Sequence, residues 1–354
     1  MAFKQIKIER FRNFSCLSFC PGVHVNLIIG DNGSGKSSLL EAIGYISQGK
    51  SFRTSHWQNL VQRGSSDFVI FGDKGDNKIG IRRSLTGDFD IRINGVNTSR
   101  LSELVYMTSM QIIHPADLDL ILGGPSLRRA YVDWGAFYQS QDFFGAWSNF
   151  KRILKQRNSY LKNYSDYRLL RVLDHEMVDR AVKLNYLRTS YFEKVTPYIH
   201  QVLKRFLPEY DFELNFYPGW DLKKQLENVL VDCFDRDRMS GYTVYGPQRA
   251  DLRILVDGKN ACEVLSRGQI KLLLCALKIA QGTYLEDQCN KQCLFLFDDF
   301  SSELDSEKKS ILSSYFDGMK GQIFITAIDE KDKTFFEQSN FQIFELKNNV
   351  IEQR

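Results

Sequence analysis

The sequence predicts an α/β head, built from N- and C-terminal segments, with a mainly α-helical arm inserted between them. Three observations predict it. Residues 30–37 read GDNGSGKS between a strand-like and a helix-like run, the context that a phosphate loop requires. Residues 294–299 read LFLFDD, an apolar strand of the kind buried on both faces, closed by two acids. Between them Leu, Tyr, Lys and Arg dominate, and proline is missing from Ser126 to Thr196, a helical texture. The expected division is residues 1–125 for the first part of the head, 126–240 for the arm and 241–354 for the second part.

The elements follow in order. Val23, Val25, Leu27 and Ile29 alternate up to Gly30 as in a strand, and Ser37–Gly49 reads as a helix closed by glycine. Ile91 and Ile93 run into Asn94-Gly95, and Ile254 and Val256 into Asp257-Gly258; both are two-residue hairpin signals. Strand texture returns at Tyr242. A long amphipathic stretch from Gly268 to Leu285 follows, then the apolar run Cys293–Phe297 and a last strand over Gln322–Ile328.

Composition bounds the function class. The 354 residues are 43% hydrophobic and 13% aromatic, enough for a core, which excludes wholesale disorder. With 24 Gly and 7 Pro, collagen-like repeats are excluded too. No apolar stretch approaches the ~18 residues of a spanning helix; the longest, Leu272–Ala280, carries Lys278. Met1–Phe14 has no signal-peptide apolar block. The seven cysteines, at 16, 20, 233, 262, 275, 289 and 293, do not form the dense framework of a secreted domain. A soluble intracellular protein without a membrane partner is expected. Cys289 and Cys293 tempt a metal reading, but no second pair completes a tetrahedral set, so Cys293 is expected as a small buried hydrophobe. The formal net charge is +4, yet residues 149–205 alone hold 13 Lys/Arg against 5 Asp/Glu. That surplus is either a solvated helix face or a surface facing a polyanion such as nucleic acid.

The chemistry concentrates in three places. Gly30, Gly33 and Gly35 let the backbone turn its N–H groups toward phosphates, with Asp31, Asn32, Ser34 and Ser38 completing the loop. The helix that follows adds its positive end; Lys36 is suited to the β- and γ-phosphates and Ser37 to Mg²⁺. Asp298, at a strand's carboxyl end, is placed to support Mg²⁺, and Asp299 to orient or deprotonate the attacking water; helix N-capping is the plainer use of such acids. Ser266-Arg267-Gly268-Gln269 precedes another helix, as a second anion site or a simple cap. One phosphate loop serves one nucleotide, so a second anion site suggests service to another molecule's nucleotide.

These three elements, in this order, resemble the ABC-type ATPase head. Lys36 and Ser266 lie 230 residues apart, a spacing that resembles its SMC/RecF branch. IERFRNF (8–14), GDNGSGKSSLLEAI (30–43), HPADL (114–118), Gly124-Pro125 with Arg128-Arg129, YGPQRADL (245–252) and DDFSSELD (298–305) are similar, from end to end, to the RecF family of bacterial recombination-mediator ATPases. An insertion of about 115 residues is too short for the very long coiled coils of SMC proteins. The resemblance implies ATP and Mg²⁺, with Lys36 and Ser37 as Walker A lysine and magnesium ligand, Asp298 as the Walker B acid and Asp299 as the catalytic carboxylate. Gln111 falls at the Q-loop glutamine, sensing Mg²⁺ or the γ-phosphate, and Asp305 at the D-loop aspartate. Ser266, with Arg267, Gly268 and Gln269, matches the signature that clamps the γ-phosphate of an opposite subunit. Arg12 and Asn13 fall near the nucleotide's base and phosphates.

By the same resemblance the chain forms a homodimer in the ATP state, binds double-stranded DNA and single/double-strand junctions, and works at gaps with RecO and RecR to place RecA. A cytoplasmic, nucleoid-associated location goes with that role. Arg53, Arg63, Arg128, Arg129, Lys151 and Arg152 are the basic candidates for DNA. Arg267 stands where transporter signatures have glycine, which fits the RecF-like pattern and adds a positive charge near a phosphate. Two departures point to slow hydrolysis that times a clamp. Asp299 is one methylene shorter than the usual glutamate. Ala327, Ile328 and Asp329 fill the switch region without a histidine. The rival readings are a transporter ATPase subunit, a small-molecule kinase without dimer closure, and a DNA scaffold that holds nucleotide without turning it over.

Overall fold

The computed structural model describes residues 2–163, 167–300, 304–328, 330–336 and 341–354. Along the chain, β1 (Gln5–Phe11), β2 (Phe14–Phe19) and β3 (Val25–Ile29) lead to α1 (Lys36–Gln48). Next come β4 (Asp67–Asp73), β5 (Lys78–Ser84), β6 (Phe89–Ile93), β7 (Val96–Thr98) and β8 (Met110–Ile113). The middle segment holds α2 (Pro125–Gln139), α3 (Asp142–Asn163), the long α4 (Tyr167–Phe206), β9 (Phe212–Tyr217), β10 (Asp251–Val256) and β11 (Lys259–Asn260). The chain closes with α5 (Arg267–Cys289), β12 (Leu294–Phe297), α6 (Ser306–Phe316), β13 (Ile323–Ala327), β14 (Phe341–Lys347) and β15 (Val350–Gln353).

Two compact units result: a head of Met1–Asp117 with Arg267–Arg354, and an arm of Leu118–Ser266. The arm is longer at both ends than residues 126–240. The strand texture that returns after residue 241 belongs to it, because β10 pairs antiparallel with β9 and with β11. Hydrogen-bond partnership, which composition does not carry, draws that boundary. β9 itself, FELNFY, lies where no strand is expected from sequence; it is a short, half-buried strand between helical stretches.

In the head, one sheet has the order β15-β14-β3-β13-β12-β8. Its inner strands are parallel, and every residue of β3, β12 and β13 is buried. Parallel strands covered on both faces need continuous rather than alternating apolarity. The alternation seen from Val23 to Ile29 therefore dissolves: Val23 is 69% exposed and outside the strand. Asn26, at an intervening position, is fully buried and donates to the carbonyls of Gly22 (3.0 Å) and Ile323 (3.2 Å). The second head sheet, β2-β1-β4-β5-β6-β7, is antiparallel. The Asn94-Gly95 hairpin joins β6 to β7 with Ile93 opposite Val96. Leu39, Leu40, Ile43 and Ile46 of α1 are completely buried, each worth about 1.5–3 kcal/mol of apolar transfer. That anchorage fixes the helix whose first turn begins at Lys36.

Candidate nucleotide site

The site forms where the parallel strands end. Gly30 follows β3 and Asp298 follows β12, with β13 hydrogen-bonded between them; ligands of open α/β sheets bind at these carboxyl ends. Gly33 and Gly35 adopt φ of +83° and +105°, the left-handed region that glycine enters without steric penalty. A Cβ on Gly35 would also stand 2.6 Å from Asn13 Nδ2. The loop thus turns directly into α1.

Asp298 is held from two sides. Ser37 Oγ donates to its Oδ1 at 3.0 Å, and Thr326 Oγ1, on β13, donates to the same oxygen at 2.9 Å. Thr326 Oγ1 also accepts the backbone N–H of Asp299 at 2.9 Å, and Lys271 of α5 donates to the Asp299 carbonyl at 3.0 Å. These bonds hold Asp299 at φ +61°, a conformation that costs a non-glycine residue free energy and persists only where neighbours enforce it. His114 Nε2 lies 3.7 Å from Asp298 Oδ2. Lys36 Nζ donates to the carbonyls of Gly30 (2.6 Å) and Asp31 (2.9 Å). Burial lowers the Lys36 pKa, opposed by the nearby charges of Asp298, Asp299 and Asp31.

A cavity of about 720 Å³ opens here. Its walls include Lys36, Ser37, Asp298 and Asp299, and also Arg12, Arg53 and Arg63. Four cationic side chains against two acids suit a polyanion such as a triphosphate. Beneath them Glu41, fully buried, accepts from Arg12 Nε and Nη2, both at 2.8 Å, and lies 3.6 Å from Arg53 Nη1. It aligns two arginines toward the cavity. The hydroxyl of Ser37 and the carboxylate of Asp298 are hard oxygen donors of the kind magnesium takes, and they adjoin the phosphate loop. The donor set fits that ion.

The sequence candidates divide accordingly. Arg12, Asn13, Asn32, Gly33, Gly35, Lys36, Ser37, Ser38, Asp298 and Asp299 meet around one cavity. Gly30 and Asp31 contribute carbonyls to Lys36, and Ser34 lies within the same loop. Gln111 does not join them. It is buried on β8, where its amide donates to Gln281 of α5 at 2.8 Å, because strand alternation turns it away from the cavity; His114, three residues on, is the group beside Asp298. Arg267, Gly268 and Gln269 begin α5 and are not in the cavity lining, and Ser266 is the exposed residue before them. Asp305 caps α6, accepting the Lys308 N–H at 2.9 Å; hydrogen bonds from Lys308 lower its pKa. Residues 301–303 and Asp329 lie outside the described residues.

Of the basic DNA candidates, Arg53 and Arg63 line the nucleotide cavity. In the arm, Arg128 is engaged by Asp251 through two bonds of 2.7 and 3.2 Å, and Arg129 donates to the Ala250 carbonyl at 2.9 Å. These two guanidiniums organise the arm's own fold. Lys151, over the Trp147 ring at 4.1 Å, and Arg152 are exposed on α3. Thr326, Glu41, Asn59 and His114 are at or beside the cavity without having been marked by the sequence; Glu41, inside GDNGSGKSSLLEAI, and His114, inside HPADL, lay within segments that carried a signal.

Residues 2–352 match the family model described as RecF/RecN/SMC N terminal domain. The DNA replication and repair protein RecF of Photorhabdus laumondii subsp. laumondii is 38% identical, covering 99% of both chains. A solved structure of the recombination mediator protein RecF-ATP in the RecFOR pathway superposes with a TM-score of 0.86 at 27% identity, covering 100% of this chain and 97% of that one. An Smc head bound to the C-winged helix domain of ScpA shares the fold, with a TM-score of 0.63 at 14% identity, over 100% of this chain and 97% of that one.

Proposed function

This chain belongs to the RecF family of DNA replication and repair proteins, and we propose on that footing that it is a DNA clamp which ATP closes and hydrolysis opens. It is an ATP-binding ATPase of the ABC/SMC type. The observation that carries the reading is the 3.0 Å contact joining Ser37 to Asp298 across 261 residues of chain, which makes one nucleotide site from two distant segments.

The loop N–H groups and the Lys36 ammonium bind the phosphate tail, while Arg12, Arg53 and Arg63 extend the cationic wall. Ser37 and Asp298 would hold magnesium, which when bound neutralises charge on the β- and γ-phosphate oxygens. Asp299, fixed through Thr326 and Lys271, takes the proton of the attacking water. Its short side chain and the absence of a histidine at Ala327 or Ile328 favour slow turnover. Ser266, Arg267, Gly268 and Gln269 serve the γ-phosphate of a second copy, so the working unit is a two-fold dimer. DNA at gaps and single/double-strand junctions is bound mainly through its backbone and stimulates hydrolysis. The RecFOR association of the related protein extends to RecO and RecR as partners here.

Mixing Lys36→Met with Ser266→Arg protomers tests the shared site. Each alone should be inert, and the mixture should recover up to about a quarter of wild-type turnover, since one in four random sites pairs two intact halves. An inert mixture of folded proteins overturns the clamp.

A further inference from the structure

We propose that a tyrosine- and arginine-lined pocket of the arm, apart from the nucleotide site, seats one unstacked nucleotide of a DNA single strand. The pocket has a volume of about 390 Å³, within the roughly 300–1,000 Å³ range of small-ligand sites. Tyr217, Tyr242 and Tyr245 supply rings, Arg236 and Arg249 supply guanidiniums, and Ser240 adds a hydroxyl. Among the described residues no carboxylate lines it. The Arg249 guanidinium lies 5.2 Å from the centre of the Tyr242 ring. Aromatic faces that stack a base, beside cations that take its phosphate, are the recurring composition of single-strand sites. A base paired within a duplex cannot enter such a pocket.

The pocket is built by the YGPQRADL segment, which the ATPase chemistry leaves unused. Gly246, at φ +127°, turns the chain between Tyr245 and Arg249. Gln248 Nε2 then donates to the carbonyls of Thr243 (3.1 Å) and Tyr245 (2.9 Å). The Thr243 N–H and hydroxyl both reach Asn158 Oδ1, at 2.8 and 2.7 Å, and the Val244 N–H reaches Asp237 Oδ1 at 2.8 Å. Asp237 in turn accepts from Arg157 at 2.6 Å, and Arg157 donates to Asp174 at 2.6 Å.

Arg157 is completely buried. An arginine buried with two carboxylates is weak support for stability, since desolvation offsets the attraction. Here the cluster fixes the backbone that presents Tyr242, Tyr245 and Arg249. Rings ordered in advance lose less freedom on binding. Lys151, Arg152 and Lys155 are exposed on α3 of the same unit, and exposed cations raise the local concentration of polyanion. The inference rests on the DNA-binding reading and adds which part of the DNA the arm holds.

The test uses the full chain with ATP and three labelled probes: an oligothymidylate of about 15 nucleotides, an abasic strand of equal length, and a blunt duplex. Tyr242→Ala and Arg249→Ala should each weaken oligothymidylate binding about tenfold or more while duplex affinity stays within about twofold. The abasic strand should bind the wild type more weakly than oligothymidylate. A strand carrying 5-iodouracil should crosslink on irradiation to Tyr217, Tyr242 or Tyr245, a readout on the wild type that decides the matter even where a variant fails to fold. Unchanged oligothymidylate affinity in folded variants, an equal loss on duplex, or crosslinks confined to other residues would each overturn the pocket. A wild type that binds duplex but no single strand sinks this inference alone. One that binds no DNA at all sinks the clamp reading with it.

Discussion

At the residue scale, Thr326 decides how the two acids act. Its oxygen donates to Asp298 and accepts from the Asp299 backbone, so one hydroxyl sets both the Asp298 carboxylate and the strained residue beside it. Thr326→Val should lower ATP turnover about 10–100-fold, as loss of an outer-shell partner does, and Thr326→Ser should restore most of it; phosphate release measures both. Lys74 makes a second, separable case. Burial pushes its pKa down to about 8 from 10.5, with the Thr108 hydroxyl at 3.0 Å and the Phe3 ring beside it. Below pH 8 the folded chain bears a half-buried charge that the unfolded chain carries in water, and between about 8 and 10.5 the unfolded state binds more protons, so stability rises with pH. Lys74→Met should therefore be more stable than wild type at pH 7 by roughly 1–3 kcal/mol, and urea titrations should see the difference shrink toward pH 10. Neither Thr326 nor Lys74 was legible in the sequence, because a threonine in a strand and a lysine after one have no distinguishing spacing.

At the scale of elements, the phosphate loop, α1 and β12 were legible, since glycine spacing and apolar runs are local properties. How α5 presses on β12 was not. A Cβ on Gly282 would meet the Phe295 ring at 2.3 Å, so the helix lies on the strand at a distance only glycine permits. Gly282→Ala should cost about 1–3 kcal/mol through overpacking, read as a lowered melting temperature. An unchanged melting curve would mean that the helix shifts freely on the sheet. Gln111 illustrates the same limit from the other side. Its place in the chain suits a sensor of the γ-phosphate, yet the direction it faces follows from the β8–β12 register, with Gln111 opposite Phe295.

At the scale of the whole molecule, the expected outcome is association that depends on nucleotide. Sedimentation with ATP should show a dimer that reverts to monomer after hydrolysis, and an Asp299→Asn variant should remain dimeric. DNA affinity should fall with salt by a logarithmic slope of about −0.9 for each phosphate contacted; a slope near zero would remove backbone contact from the account. No helix among the described residues is long and apolar enough to cross a membrane.

The sequence by itself determined that a phosphate loop, an acidic strand end and a Ser-Arg-Gly-Gln helix start share one chain, because each is written in consecutive residues. Tertiary structure alone decided which of them meet. It joined Ser37 and Thr326 to one oxygen of Asp298, set Arg53 and Arg63 in the wall of the nucleotide cavity, tied Arg128 to Asp251, and moved residues 241–266 into the arm. The physical reason is common to all four: strand pairing and the neutralisation of buried charge act between residues distant in the chain, and one-dimensional spacing carries no record of which distant partner is chosen.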